Sequence, residues 1–300
     1  VGIITAENVT GLKQVGRVKR AWITEVAWAP NGRALAVAGA DGITLHEADT
    51  MRVAGALTGH EGPVKGIAVS PDGGWIASAG ADTTARLWNL RAGAAQTILR
   101  GHSDAVNAVA FNPDGQWVAT VSADQTGRLW TLEGEPRGLL RGHTDEVTAV
   151  IFGGTGRVVT GSWDQQIRVW DTECGECLRT MGHDSWVRHL VAFEGRGWVA
   201  SASRDGTARV WEVESGREIV KLMAHSGGTD AVAFSPDGRM LATGGRDQAV
   251  KLWRLPEGRL LHVLRGHEKP VLTVAFSPDG SRLASGSGDN RVWLWGIGED

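Results

Sequence analysis

The chain has 300 residues, of which 42% are hydrophobic and 22% charged, and its formal net charge is −3. That balance gives no electrostatic reason to expect nucleic acid or an anionic membrane as partner. No apolar run approaches the roughly twenty residues that a membrane helix needs, and no charged-then-apolar signal segment opens the chain. Two cysteines cannot build a disulfide framework in a chain this long and point to a reducing compartment, so a cytoplasmic location is expected. Val1 stands where a Met would, which suits a monomeric piece of a longer protein.

Taken in order, the chain starts with one extended segment, Leu12–Val18, and then repeats itself. Gly59-His60, Gly101-His102, Gly142-His143, Gly182-His183, Ala224-His225 and Gly266-His267 recur with histidines 42, 41, 40, 42 and 42 residues apart. A fixed period near forty is the mark of a repeat fold. Each repeat holds four short segments of strand character, in the second repeat Val64–Ser70, Trp75–Ala79, Ala85–Trp88 and Gln96–Leu99. A turn follows the first strand at Pro30-Asn31-Gly32, Pro71-Asp72-Gly73, Pro113-Asp114-Gly115, Pro236-Asp237-Gly238 and Pro278-Asp279-Gly280, where Pro presets one dihedral and Gly supplies a positive φ. No window carries sustained helical periodicity, so the expectation is all-β.

First strands start near Ile23, Val64, Val106, Val147, Val187, Thr229 and Val271, which makes seven repeats. The last lacks a fourth strand after Arg291–Trp295, whereas the N-terminus has a spare one. Pairing the two closes a ring and leaves no long open edge.

By these motifs, which span essentially the whole chain, the sequence resembles the WD-repeat β-propeller family. The resemblance implies one unit over 1–300: seven four-stranded antiparallel blades around a channel, with first strands innermost and residues 1–18 closing the seventh blade. It also resembles the propeller domains of bacterial serine/threonine protein kinases and similar multidomain signalling proteins, which makes a regulatory or sensor role an alternative.

Six repeats carry a His before the first strand, a Ser or Thr on the second, an Asp in the next turn and a Trp on the third. The sets are His60, Ser78, Asp82, Trp88; His102, Thr120, Asp124, Trp130; His143, Thr160, Asp164, Trp170; His183, Ser201, Asp205, Trp211; His225, Thr243, Asp247, Trp253; and His267, Ser285, Asp289, Trp295. Asp, His and Ser are the residue types of a hydrolytic triad. A triad, however, needs one exposed nucleophile beside an oxyanion site, and this set occurs six times with Thr for Ser in three. The family resemblance implies a structural hydrogen-bond chain instead. The first repeat departs from the pattern: Lys19 takes the place of His, Val37 that of Ser/Thr, and His46 falls one residue short of the Trp position. That blade is expected to lack the network and to be the loosest.

Cys174-Gly175-Glu176-Cys177 has redox or zinc spacing, but no second pair exists and no helix starts there. His46, His189 and His262 fall on separate repeats and read as filler. No metal or cofactor is therefore expected. The resemblance implies docking on the face that carries the loops before the first strands and the turns before the third. There Trp163, Trp186, Arg188, Arg204 and Arg246 concentrate on repeats four to six, and Trp and Arg dominate binding hot spots. The expected partner is a protein or peptide, acidic or phosphorylated, since Arg forks suit both. The competing reading has these tryptophans packing over neighbouring blades and the arginines pairing with acids such as Glu146 and Asp230. An enzyme at the channel mouth would need convergent carboxylates, a metal set or an activated nucleophile outside the six networks, and the sequence offers none.

Overall fold

In the computed structural model, which describes residues 2–91 and 95–298, the chain forms seven four-stranded antiparallel sheets. After a strand β1 (Leu12–Lys19), blade 1 comprises β2 (Ile23–Trp28), β3 (Ala34–Gly39), β4 (Gly42–Glu47) and β5 (Val53–Leu57). Blade 2 follows with β6 (Val64–Val69), β7 (Trp75–Gly80), β8 (Ala85–Asn89) and β9 (Ala95–Leu99), and blade 3 with β10 (Val106–Phe111), β11 (Trp117–Ser122), β12 (Thr126–Thr131) and β13 (Pro136–Arg141). Blade 4 is β14 (Val147–Phe152), β15 (Arg157–Ser162), β16 (Gln166–Asp171) and β17 (Cys177–Gly182). Blade 5 is β18 (Val187–Phe193), β19 (Trp198–Ser203), β20 (Thr207–Glu212) and β21 (Glu218–Met223). Blade 6 is β22 (Thr229–Phe234), β23 (Met240–Gly245), β24 (Val250–Arg254) and β25 (Arg259–Leu264). Blade 7 is β26 (Val271–Phe276), β27 (Arg282–Ser287) and β28 (Arg291–Ile297), completed by β1.

The expected closure is present. β1 pairs with β28 from Leu12↔Ile297 to Lys19↔Arg291. Ile4, Val9 and Leu12 are buried with it, against blade 7 and its neighbour blade 6. Helical structure among the described residues is confined to two 3-10 turns, Val9–Gly11 and Glu194–Arg196. None of it is long and apolar enough to cross a membrane.

The core lies between blades rather than within them. Seven hydrophobic clusters fill the seven joints. The joint between blades 2 and 3, for example, packs Ala77, Ala79, Leu87 and Leu99 against Val106, Val109, Val118 and Trp130. Both faces of each sheet are therefore buried, which explains why the second strands read as continuous apolar or small-residue runs instead of alternating. The joint between blades 7 and 1 sets Ala284, Val292 and Leu294 against Ile23, Val26 and Leu35, so the ring is continuous.

Two local features recur. The turn glycines Gly32, Gly73, Gly115, Gly238 and Gly280 have φ between 65° and 72°, as the turn type requires. Every first strand also carries a bulge one residue after its start, as at Val106/Ala108 and Val147/Ala149. A bulge leaves one residue out of the ladder and re-aims its side chain.

Candidate docking face

In six blades the His, Ser/Thr, Asp and Trp side chains meet in one directed chain. The indole N–H donates to the hydroxyl at 2.7–3.0 Å. The hydroxyl lies 2.7–2.9 Å from His Nε2, and His Nδ1 lies 2.6–3.0 Å from the carboxylate. Indole only donates and an ionised carboxylate only accepts, so Nδ1–H donates to Asp, and with a neutral imidazole the hydroxyl donates to Nε2. In that arrangement each hydroxyl both donates and accepts.

The electrostatics agree. Burial holds His60, His102, His183, His225 and His267 below the ordinary imidazole value, against the opposing pull of their Asp partners. Burial would raise Asp82 and Asp164, but their hydrogen bonds prevail and hold both at about 2. For Asp82 these come from Glu61 N–H, Thr84 and His60. For Asp164 they come from His143 and the N–H groups of Gln166 and Thr144. The hydroxyls of Ser78, Thr120, Thr160, Ser201, Thr243 and Ser285 are all fully buried, so none is an exposed nucleophile.

Sequence reasoning missed two members of this network. Thr84, Thr126 and Thr207, two residues after the Asp, donate to it at 2.6–2.8 Å. Arg86, Arg209 and Lys251, four residues after it, place a cation 3.0–3.6 Å from the carboxylate. Both regularities were open to inspection in the repeat alignment.

The first blade requires a correction. Lys19 belongs to the β1–β28 ladder, and it is Arg20 that reaches inward, donating to Thr44 Oγ1 and to Asp41. His46, 1% exposed, lies 2.8 Å from Thr44 Oγ1 through Nε2 and 3.1 Å from the Met51 carbonyl through Nδ1. Blade 1 thus has its own polar network, with Arg20 in place of His and His46 in place of Trp. The register explains why spacing misled: Leu35↔His46 matches Ile76↔Trp88, and a two-residue turn between Gly39 and Gly42 shortens the repeat by one.

The remaining candidates separate. Cys174 and Cys177 are free and exposed, in the turn before β17 and at its start. No cluster of metal-ligating side chains occurs among the described residues. His262 lies on the outer strand β25. His189, read as filler, lines the channel, and its Nε2 is 3.8 Å from Glu25 Oε1 of blade 1.

The channel has a volume of about 1000 Å³. Glu25, Ala108, Ala149, His189 and Thr273, each the first paired residue after a first-strand bulge, line it. The bulge residues link blades 1 to 6 in succession. Thr24 donates to the Val64 carbonyl, Lys65 to Asn107, Asn107 to the Val147 carbonyl, and Thr148 to the Val187 carbonyl, all at 2.7–2.9 Å. Arg188 Nε continues the belt to Asp230 at 3.2 Å.

The five sequence-predicted docking residues share this upper rim. Trp163 and Trp186 stack with ring centroids 4.6 Å apart and planes 15° apart, and Trp186 is 42% exposed. Arg188 and Arg246 flank the buried carboxylate of Asp230, each through Nε at 3.2 Å. Arg204 lies against Gly228 of the next blade. The packing expected in the competing reading is present in part: the tryptophans pack on each other, and Arg188 and Arg246 have an acid, namely Asp230. Sequence reasoning also passed over Trp22. It is 55% exposed at the channel mouth and immediately precedes a first strand, as Trp186 does.

A ring of four-stranded blades with a Trp-bearing third strand defines a WD-type propeller. The family model for the WD domain, G-beta repeat, matches residues 51–89, 93–131, 134–171, 175–212, 216–254 and 258–296, and the chain belongs to that family. Each matched stretch runs from the fourth strand of one blade through the third of the next, the same offset that lets β1 close blade 7. Similar proteins include a nuclear distribution protein PAC1 from Arthroderma benhamiae, 28% identical over 162 residues covering 53% of this chain and 31% of that protein. A PAC1 from Mycosarcoma maydis is 59% identical over 34 residues, 11% of this chain and 8% of that one. A periodic tryptophan protein 2 homolog from Neurospora crassa is 36% identical over 63 residues, 20% and 7% respectively. The chain spans less than a third of the length of these relatives. WD-repeat propellers generally act as non-catalytic scaffolds that bind proteins.

Proposed function

We propose that residues 1–300 act as one non-catalytic interaction module in the cytoplasm, with a protein or peptide as partner rather than nucleic acid or membrane. The partner docks on the face carrying the loops before the first strands and the turns before the third. Trp163, Trp186, Arg188, Arg204 and Arg246 form the centre of that face, and an acidic or phosphorylated segment suits it.

The observation that carries this reading is the half-exposed Trp163–Trp186 stack beside three arginines. A preorganised aromatic pair offers large apolar area at low entropic cost, which is the character of a binding hot spot. Against an enzyme at the channel mouth stands the engagement of its acids. Glu25 Oε2 accepts the Ile67 N–H at 2.7 Å, and Asp230 is held by two arginines. Glu146 precedes a first strand and Glu194 follows one, so they sit at opposite ends of the channel and do not converge. The alternative role as regulatory domain of a bacterial kinase gains nothing from the relatives, which are fungal proteins of other names.

Affinity capture from the source organism's lysate, with wild type beside Trp186→Ala, tests the reading. A partner retained by wild type and lost from the variant is expected, with the melting curve unchanged. Equal retention by both proteins would remove this face from consideration.

A further inference from the structure

Buried polar atoms without a hydrogen-bond partner are unevenly distributed over the ring. Trp163 Nε1, Arg204 Nη1, Thr229 Oγ1, Asp230 Oδ2 and Arg246 Nε all fall on one arc of the upper rim, across blades 4 to 6. Those elsewhere among the described residues are scattered over blades 3, 4 and 7, at Arg128, Arg168 and Trp293. A buried donor with no acceptor is costly, and Arg204 and Arg246, two of the residues that carry such donors, converge on Gly228. Arg246 Nε and Asp230 Oδ2 illustrate the point: they lie 3.2 Å apart, yet off line, so neither completes a hydrogen bond.

The main chain beneath is unusually bare. Gly227-Gly228 occupies the positions that Ser185-Trp186 and Lys269-Pro270 fill in the neighbouring repeats. Gly228 has φ +130°, which disfavours any side chain. A Cβ there would also come within 3.1 Å of Arg204 Cδ and 3.4 Å of Arg246 Cδ. The two arginine stems therefore close over this glycine from blades 5 and 6.

Charge selects the ligand. Arg188, Arg204 and Arg246 bring three positive charges, and the buried Asp230 removes one. Glu146 and Lys269, which also line the mouth, offset each other. A carboxylate would neutralise only one of the two charges left. A phosphate monoester carries about −1.5 to −2 and offers three oxygens to guanidinium forks.

We propose that Arg204 and Arg246, closing over Gly228, bind the phosphate of a phosphoserine or phosphothreonine in the docking partner, with the Trp163–Trp186 stack supporting the residues beside it. This inference rests on the reading of the upper rim as the docking face.

A peptide array with central phosphoserine in randomised flanks tests it, beside matched arrays carrying serine or glutamate at the same position. Wild type, Arg204→Gln, Arg246→Gln and Gly228→Val are compared, each with its melting curve, together with phosphoinositide vesicles. Arg204 is the cleaner of the two arginines, because Asp230 leans on Arg188 and Arg246. Wild type is expected to retain a subset of phosphopeptides at least tenfold more tightly than their serine and glutamate counterparts. Arg204→Gln should lose at least tenfold with unchanged melting, whereas Gly228→Val should lose binding together with a lower melting temperature, because its side chain is strained at that backbone angle. Equal retention of the glutamate or serine peptides, binding to vesicles alone, or undiminished binding by both arginine variants overturns the proposal. If wild type retains no phosphopeptide while Trp186-dependent capture from lysate persists, the phosphate assignment falls and the docking face survives. If both fail, the docking face falls with it.

Discussion

At the scale of single residues, the repeated His–Asp–hydroxyl–indole set is a directed hydrogen-bond chain from indole to carboxylate. Each group has a partner when histidine is neutral and aspartate ionised, and burial favours that neutral histidine in five of the six blades. The folded state holds His46, His60, His102, His183, His225 and His267 below their ordinary value of 6.5, chiefly through burial. As pH falls below 6.5, the unfolded chain takes up protons that the folded chain refuses, so stability declines. Asp82 and Asp164, at about 2 instead of 3.8, stabilise fully above 3.8 and lose that contribution as pH falls towards 2. Melting temperatures measured from pH 8 to 3 should therefore fall in two stages, one starting below 6.5 and one below 3.8. A flat curve between pH 7 and 5 contradicts the neutral-histidine assignment. Asp164→Ala removes the acceptor for His143 Nδ1 and Thr144 N–H, which lie 2.8 and 3.1 Å away. About 1–3 kcal/mol should be lost, with a native-like circular dichroism spectrum retained. The members of these sets could be read from spacing alone, because the same offsets recur six times. Arg20 could not be, since long side chains reach past their own sequence position and a shortened turn shifted the count.

At the scale of elements, each blade depends on two irregularities that composition does not reveal. One is the first-strand bulge, which turns Thr24, Lys65, Asn107, Thr148 and Arg188 towards the next blade. The strands were legible as apolar runs, but a bulge leaves no mark in a run, so this belt emerged only from the register. The other is the residue after the network Asp. Thr83, Gln125, Gln165, Gln248 and Asn290 all sit at φ 66–72°, a region costly to β-branched side chains, and Gly206 takes the same place in blade 5. Gln165 is exposed, so its substitutions isolate the backbone effect. Gln165→Val should lower stability by about 1–2 kcal/mol, whereas Gln165→Gly should leave it nearly unchanged. Equal losses in urea titrations of the two variants would show that side-chain contacts, not dihedral strain, govern this turn.

At the scale of the whole molecule, head and tail share one sheet, and the seven interblade cores form an unbroken circle. Removing residues 1–19 deletes β1, strips Ile4, Val9 and Leu12 from the joint between blades 6 and 7, and exposes the edge of β28. A truncated chain should melt more than ten degrees lower and aggregate on purification, because a bare edge strand invites pairing. Unchanged melting would mean that closure is not what holds the ring. This closure was legible because repeats can be counted: seven first strands and a missing last strand leave one arrangement. The proposed docking face was legible only in part. Trp163, Trp186 and the arginines stood out by residue type, but Trp22 lay in the degenerate repeat, and the Gly227-Gly228 gap has no side chain to announce it. The resulting account divides the labour: buried networks hold the blades, and the upper rim over blades 4 to 6 is the proposed binding surface.

One crossed experiment tests that division most directly, namely partner binding and melting temperature measured together for Trp186→Ala and Asp164→Ala. The account expects Trp186→Ala to lose the partner at full stability, and Asp164→Ala to melt lower yet bind normally when assayed well below its transition. The reverse pattern, with Trp186→Ala unfolding early and Asp164→Ala abolishing binding in a folded protein, would contradict it.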